Sequence, residues 1–168
     1  MNIIKSSLIS LVTALTVASP SLARVEDGTA DLLETLDQNG VEVIINGPRC
    51  KDAPVHGMYS FTGMRRVMNL CPGSSVDAVD HDTVRHETAH AIQHCVNTER
   101  GTALTDPIAS LHKLRDMVNE FVPAEVVTFV KETYPEDHWL VEFEAQLMSR
   151  IFTATELEEM FLMRCTAR

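Results

Sequence analysis

The residues best equipped for chemistry are His86-Glu87-Thr88-Ala89-His90. On a helix, positions i and i+4 share a face, so both imidazoles can turn a ring nitrogen towards one metal ion. Glu87 falls one position round, where its carboxylate can take a proton from an attacking water and hand it to a leaving amine. A zinc ion in such a place polarises a carbonyl and lowers the pKa of a water towards neutrality. HExxH therefore predicts a zinc centre with its own general base, suited to hydrolysing amide bonds.

Two histidines leave a catalytic zinc one protein ligand short. His94 continues the i+4 series, but His86, His90 and His94 span about 12 Å of helix axis, too far to share an ion. The residues after His90 are Ala91-Ile92-Gln93-His94-Cys95-Val96, which excludes the extended HExxHxxGxxH pattern. The third ligand is expected downstream, in Trp139-Leu140-Val141-Glu142-Phe143-Glu144-Ala145-Gln146. Helical spacing puts Glu142 on a face with Ala145, Gln146 and Ser149, small or polar residues that let a second helix come close. Glu144 shares its face with Leu140, Leu147, Met148 and Ile151, which reads as core or as a second contact surface. Glu142 is the preferred ligand and Glu144 the alternative.

With Glu142-Phe143-Glu144-Ala145-Gln146 beside the HExxH motif, the chain resembles the gluzincins. These are zinc peptidases whose third ligand is a glutamate on a second helix, often with a polar residue four positions later. The resemblance covers two helices, about residues 82–97 and 137–152. It implies Zn2+ held by His86, His90 and Glu142, Glu87 as the base, a peptide or protein substrate, and Gln146 as the polar partner of a ligand histidine. Related peptidases place a Tyr or His near the third ligand, so Tyr134 or His138 is a candidate for stabilising an oxyanion. A tyrosine buried at a loop for packing is an equal reading of Tyr134.

The elements that must position these groups follow from periodicity and punctuation. Val84, Ala91, Ile92 and Cys95 recur at helical spacing between about 82 and 97, ahead of Gly101. Asp106 before Pro107 predicts an N-cap for a helix carrying Ile108, Leu111, Leu114 and Val118. Pro123 marks a further helix boundary, and Tyr134-Pro135 a break. Asp137 is expected to cap the helix carrying Trp139 to Ile151, and Thr155 with Glu158 to form a capping box for the last one. Upstream, Leu32, Leu33 and Leu36 give a weak helical stripe ending at Asn39-Gly40. Residues 41–45, 56–61 and 65–70 then read as strands. The fold class expected is α+β, a small antiparallel sheet packed on a zincin-like helical core. Such a sheet is marginal alone and needs helices on one face.

The chain has 168 residues, 45% of them hydrophobic and 23% charged, which suits one globular domain over residues 24–168. Residues 1–23 read as a signal peptide: Lys5, then an apolar run over 8–18, then Ser21-Leu22-Ala23 at a cleavage site. The run is shorter than the roughly 20 residues that span a bilayer, so no membrane attachment is expected after cleavage. With 14 basic and 24 acidic residues, the net charge of −10 argues against a nucleic-acid partner. Four cysteines in an exported chain, none in a CxxC pair, predict two disulfides. The expected pairs are Cys50 with Cys71, at the ends of neighbouring strands, and Cys95 with Cys165, joining the motif helix to the last one. The leading functional expectation is a secreted or periplasmic zinc peptidase. The alternatives are a zinc-stabilised binding or structural protein, and a zinc hydrolase of non-peptide amides or esters.

Overall fold

The helix that carries the motif, α2, runs His81–Arg100, and both of its ends are set by local chemistry. The Asp80 side chain accepts from the backbone N–H of Asp82 and of Thr83, which satisfies two of the orphan donors at a helix start. At the other end Gly101 takes the left-handed conformation, with φ at 67°. Thr102 N–H then reaches back to the Asn97 carbonyl, closing the helix as a Schellman turn. In between, Val84, Ala89, Ala91, Ile92 and Val96 are buried, so one apolar stripe drives the helix into the protein.

The computed structural model describes residues 28–51, 56–72 and 80–166. The expected signal peptide lies outside them. Helix α1 (Thr29–Gln38) leads into β1 (Val41–Ile45), β2 (Gly57–Thr62) and β3 (Arg65–Leu70). After α2 come α3 (Leu111–Phe121), α4 (Ala124–Thr133), α5 (Trp139–Ile151) and α6 (Ala154–Cys165). The architecture is α+β. Among the described residues no helix is long and apolar enough to cross a membrane.

The sheet is mixed, which corrects the expectation of an antiparallel one. Strand order is β1-β3-β2, with β2 antiparallel to β3 and β1 parallel to it. The hairpin between β2 and β3 is tight and turns at Gly63, whose φ is 60°. β1 thus joins the hairpin on the β3 side, away from β2. Parallel pairing brings the C-terminal ends of β1 and β3 together, with Ile45 opposite Leu70. The disulfide Cys50–Cys71 spans that shared end.

Two apolar cores flank the helical layer. One gathers Leu32, Leu36, Val41, Met68, Leu70, Ile92, Leu157 and Phe161 between the sheet, α1, α2 and α6. The other gathers Leu114, Val118, Val122, Val130, Phe143 and Leu147 between α3, α4 and α5. Helix α5 contributes to both, through Ala145 and Met148 on one side and Phe143 and Leu147 on the other. That position leaves a strip of α5 facing α2, and Glu142 lies on it. Cys95–Cys165 joins α2 to α6 as expected. Two disulfides are the mark of an oxidising compartment.

Three helix starts differ from the sequence reading. Helix α3 begins after Ser110 and not at Asp106. Asp106 instead closes a turn by accepting from Ala103 N–H at 3.1 Å. The amides of Ile108 and Ala109 are captured by Glu144 at 2.8 and 2.7 Å, so the chain stays irregular until Ser110. Asp137 does not cap α5; it lies in a short 3-10 turn, Glu136–His138, that feeds the helix directly. The last capping box is Thr153 with Glu156, both of its hydrogen bonds being present. The T-x-x-E pattern occurs twice, two residues apart, and the earlier frame buries Ala154, Leu157 and Phe161. Glu158 of the later frame accepts from Thr35 on α1 instead.

Candidate metal centre

His86 and His90 project from one face of α2 towards Glu142 on α5. Their Nε2 atoms are 3.1 Å apart. Glu142 Oε2 lies 3.4 Å from His86 Nε2 and 3.5 Å from His90 Nε2. The three atoms form a nearly equilateral triangle. A tetrahedral ion bonded to nitrogen and oxygen at about 2.0–2.1 Å spaces its ligands about 3.3–3.4 Å apart, so the triangle has the dimensions of one coordination face. The group can hold a metal ion.

Burial sharpens the point. His86 and Glu142 are 9% and 6% exposed. Among the described residues His86 Nδ1 has no hydrogen-bond partner, and Glu142 Oε2 has only the two long imidazole contacts. Those long contacts are weaker than a direct bond, so a bound cation would satisfy Oε2 better than the two rings do. Electrostatics point the same way. Burial, the largest influence on Glu142, raises its carboxyl, yet the long contacts to His86 and His90 and their positive charge outweigh it and pull it down to about 2. Burial likewise lowers His90, but contact with Glu142, the charges of Glu142 and Glu87, and the bond to Gln93 outweigh it and push the ring up to about 9. The pocket attracts positive charge, as a proton or as a metal ion.

Glu87 is buried beside the triangle and is held by the sheet. Its Oε2 accepts from the backbone N–H of Tyr59 at 2.6 Å. The β2–β3 register explains why that N–H is free: Cys71 N–H bonds to the His56 carbonyl, so Gly57, Tyr59 and Phe61 direct their backbone groups away from β3. Strand β2 reaches α2 this closely only at a glycine. A Cβ on Gly57 would lie 2.5 Å from Thr83 Cγ2 and 2.8 Å from both Cγ and Oε1 of Glu87.

Open space flanks the triangle on both sides. On the His86 side a cleft of about 500 Å³ is lined by Gly57, Glu87, Val126, Phe129, Tyr134 and Gln146, among others. On the His90 side a pocket of about 310 Å³ is lined by Tyr59, Phe61, Leu104, His138, Val141 and Glu142 with four more residues. No protein-family model, curated protein or solved structure matches this chain.

The structure brings His86, Glu87, His90 and Glu142 together. It separates out Glu144, 3% exposed, whose carboxylate serves the loop before α3. Tyr134 lines the cleft beside His86 and Glu87, and its hydroxyl is raised by burial and by the negative charges of Glu142 and Glu87. His138 is exposed at the rim of the other pocket. His94 is not part of the group; its Nδ1 meets the Tyr59 hydroxyl at 2.7 Å. Gln146 does not bond a ligand histidine, and its Oε1 accepts from Arg150 at 3.5 Å. The partner of His90 Nδ1 is Gln93, at 2.8 Å, one turn further along the same helix. Sequence reasoning passed over Gln93, although i+3 spacing from His90 was the available signal.

Proposed function

We propose that the chain is an exported zinc-dependent peptidase, with His86, His90 and Glu142 as the metal ligands and Glu87 as the general base. The observation that carries this reading is the convergence of three ligand atoms, one of them a buried carboxylate oxygen, beside a second acidic residue, Glu87, at an open cleft. Two imidazoles and one carboxylate in tetrahedral spacing suit Zn2+, which in catalytic sites takes three protein ligands and keeps one position open. When bound, the ion supplies polarisation of a carbonyl and a water that is a nucleophile at neutral pH.

The chain's own groups do the rest. Tyr59 N–H fixes one oxygen of Glu87, leaving the other to take a proton from the attacking water and return it to the leaving amine. Tyr134, with its hydroxyl kept protonated by burial and by nearby negative charge, lines the same cleft and would donate a hydrogen bond to a developing oxyanion. An extended peptide has a docking edge in β2, where Gly57 and Phe61 direct backbone groups away from β3. The export half of the proposal rests on the N-terminal segment of the sequence and on the two disulfides.

One observation favours a second reading. The bond from Tyr59 to Glu87 ties α2 to the sheet, a use for Glu87 in a protein whose metal merely fastens helices. Substituting Glu87→Gln separates the two. A peptidase retains zinc in this variant while cleavage of a casein or peptide-library substrate falls about 10²- to 10⁴-fold, the loss expected for a general base. A structural metal protein shows no cleavage in parent or variant. Parent-level cleavage by zinc-loaded Glu87→Gln would remove Glu87 from the mechanism.

A further inference from the structure

The hydrogen bonds that reach His90 run in one direction only. They begin at Glu144, whose Oε2 accepts from Ile108 N–H at 2.8 Å and whose Oε1 accepts from Ala109 N–H at 2.7 Å. Both carboxylate oxygens are thereby acceptors. Glu144 Oε2 also lies 3.0 Å from Gln93 Nε2, and the Val141 carbonyl lies 2.9 Å from the same atom. A carbonyl and a carboxylate can only accept. Each contact requires the amide nitrogen of Gln93 on that side, because a flipped amide would set oxygen against oxygen twice in a residue that is 1% exposed.

The orientation of Gln93 then decides the state of His90. Its Oε1 is left facing His90 Nδ1 at 2.8 Å, and an amide oxygen accepts. His90 must carry a proton on Nδ1, so the neutral ring has its lone pair on Nε2, the atom that meets His86 Nε2 and Glu142 Oε2. Among the described residues His86 has no such guide, its Nδ1 being buried without a partner. The two histidines of the motif are thus held unequally.

Given the metal site proposed above, we infer that Gln93 is a positioning residue that fixes His90 as the Nε2-coordinating tautomer. Glu144 and the Val141 carbonyl hold Gln93 in the one orientation that does so. The glutamate passed over as a ligand therefore acts one step behind the ligands, joining His90 to the segment before α3. Such a hydrogen bond to the far side of a ligand imidazole orients the ring and raises its basicity, and its loss typically costs 10- to 100-fold in metal affinity.

The test uses Zn2+ as the probe, with affinities read by chelator competition on the full mature chain. Gln93→Met keeps the length and removes the acceptor, and should bind Zn2+ about 10- to 100-fold more weakly than the parent. Glu144→Gln can keep its amide oxygen towards Gln93 and Ile108, while its –NH2 is set against the Ala109 N–H, donor against donor. It should stay within about threefold of the parent in Zn2+ affinity, yet melt at a lower temperature without metal. In the ¹H–¹⁵N spectrum of the zinc-loaded parent, the His90 ring should carry its proton on Nδ1, and that signal should be lost to exchange in Gln93→Met. Parent-level affinity in Gln93→Met, or a His90 ring metallated at Nδ1, would each overturn the inference. A parent that takes up no Zn2+ would overturn the metal reading beneath it.

Discussion

Removing metal and raising the pH should loosen this protein, and the size of the effect follows from His90. In the folded metal-free chain the ring is pushed up to about 9, against about 6.5 when unfolded. A raised folded value means that the contribution is fully present below about pH 6.5 and is lost as pH climbs through about 9. The gap of about 2.5 pH units, at 1.36 kcal/mol each, sets a contribution of about 3 kcal/mol. Glu142 describes the acid side of the same contact. Its carboxyl, held at about 2, gives stability that is present above about pH 4.5 and is lost as pH falls towards 2. The two are one interaction and do not add.

The assay is urea unfolding of chelator-treated protein at pH 6.5 and pH 9, with His90→Asn run alongside to subtract every other titrating group. The parent should lose about 3 kcal/mol more than the variant across this window, a difference on the order of 10 °C in melting temperature. Zinc should reverse the trend. The ion competes with the His90 proton, so its affinity should rise about tenfold per pH unit between pH 7 and 9. Equal pH dependence in parent and His90→Asn, or a zinc affinity that is flat over that range, would refute the reasoning.

Three further outcomes are expected. Glu142→Gln should surrender zinc to a chelator concentration that leaves Glu144→Gln loaded, as measured by elemental analysis; the reverse order would make Glu144 the ligand. Gly57→Ala should cost about 1–3 kcal/mol through overpacking and depress cleavage while zinc content holds, because the new Cβ meets Thr83 and Glu87. Unfolding and metal analysis on the same sample check both halves. Thr153→Ala should lower stability by about 1 kcal/mol through loss of the α6 cap, whereas Thr155→Ala should not, a contrast that thermal melting resolves.

Features fixed by local rules were legible in the sequence. The limits of α2, the three strand positions and the end of α1 at Asn39-Gly40 all depend on caps, turns and periodicity within a few residues. Both cysteine pairings were legible too, since each joins the ends of elements that the pattern had already placed. The sheet order was not, because β1 could meet either β2 or β3 with the same apolar alternation. What distinguishes them is a long-range fact, the Asn46 N–H reaching the Leu70 carbonyl at the end of β3. The start of α3 failed for a related reason. Asp106-Pro107 is a sound helix signal taken alone, but Glu144, far along the chain, claims the two amides that the helix would have needed.

The candidate site divides along the same line. His86, Glu87 and His90 were visible because one helix sets their spacing, and Glu142 because the small residues on its face permit a second helix to approach. Gln93 was hidden in plain view: its partner on one side is His90, but its orientation is decided by Val141 and Glu144 on another helix. Gly57 was hidden more deeply. Its importance is the absence of a Cβ where β2 passes Thr83 and Glu87, and a missing atom has no pattern of its own. The two oxygens of Glu87 and the two nitrogens of His90 are thus assigned their roles by groups that carry no chemistry themselves, a backbone amide and a carboxamide. On the proposed reading the metal ligands alone would leave those roles free; the contacts themselves serve a peptidase and a helix-fastening metal protein alike, so it is cleavage by Glu87→Gln that separates the two.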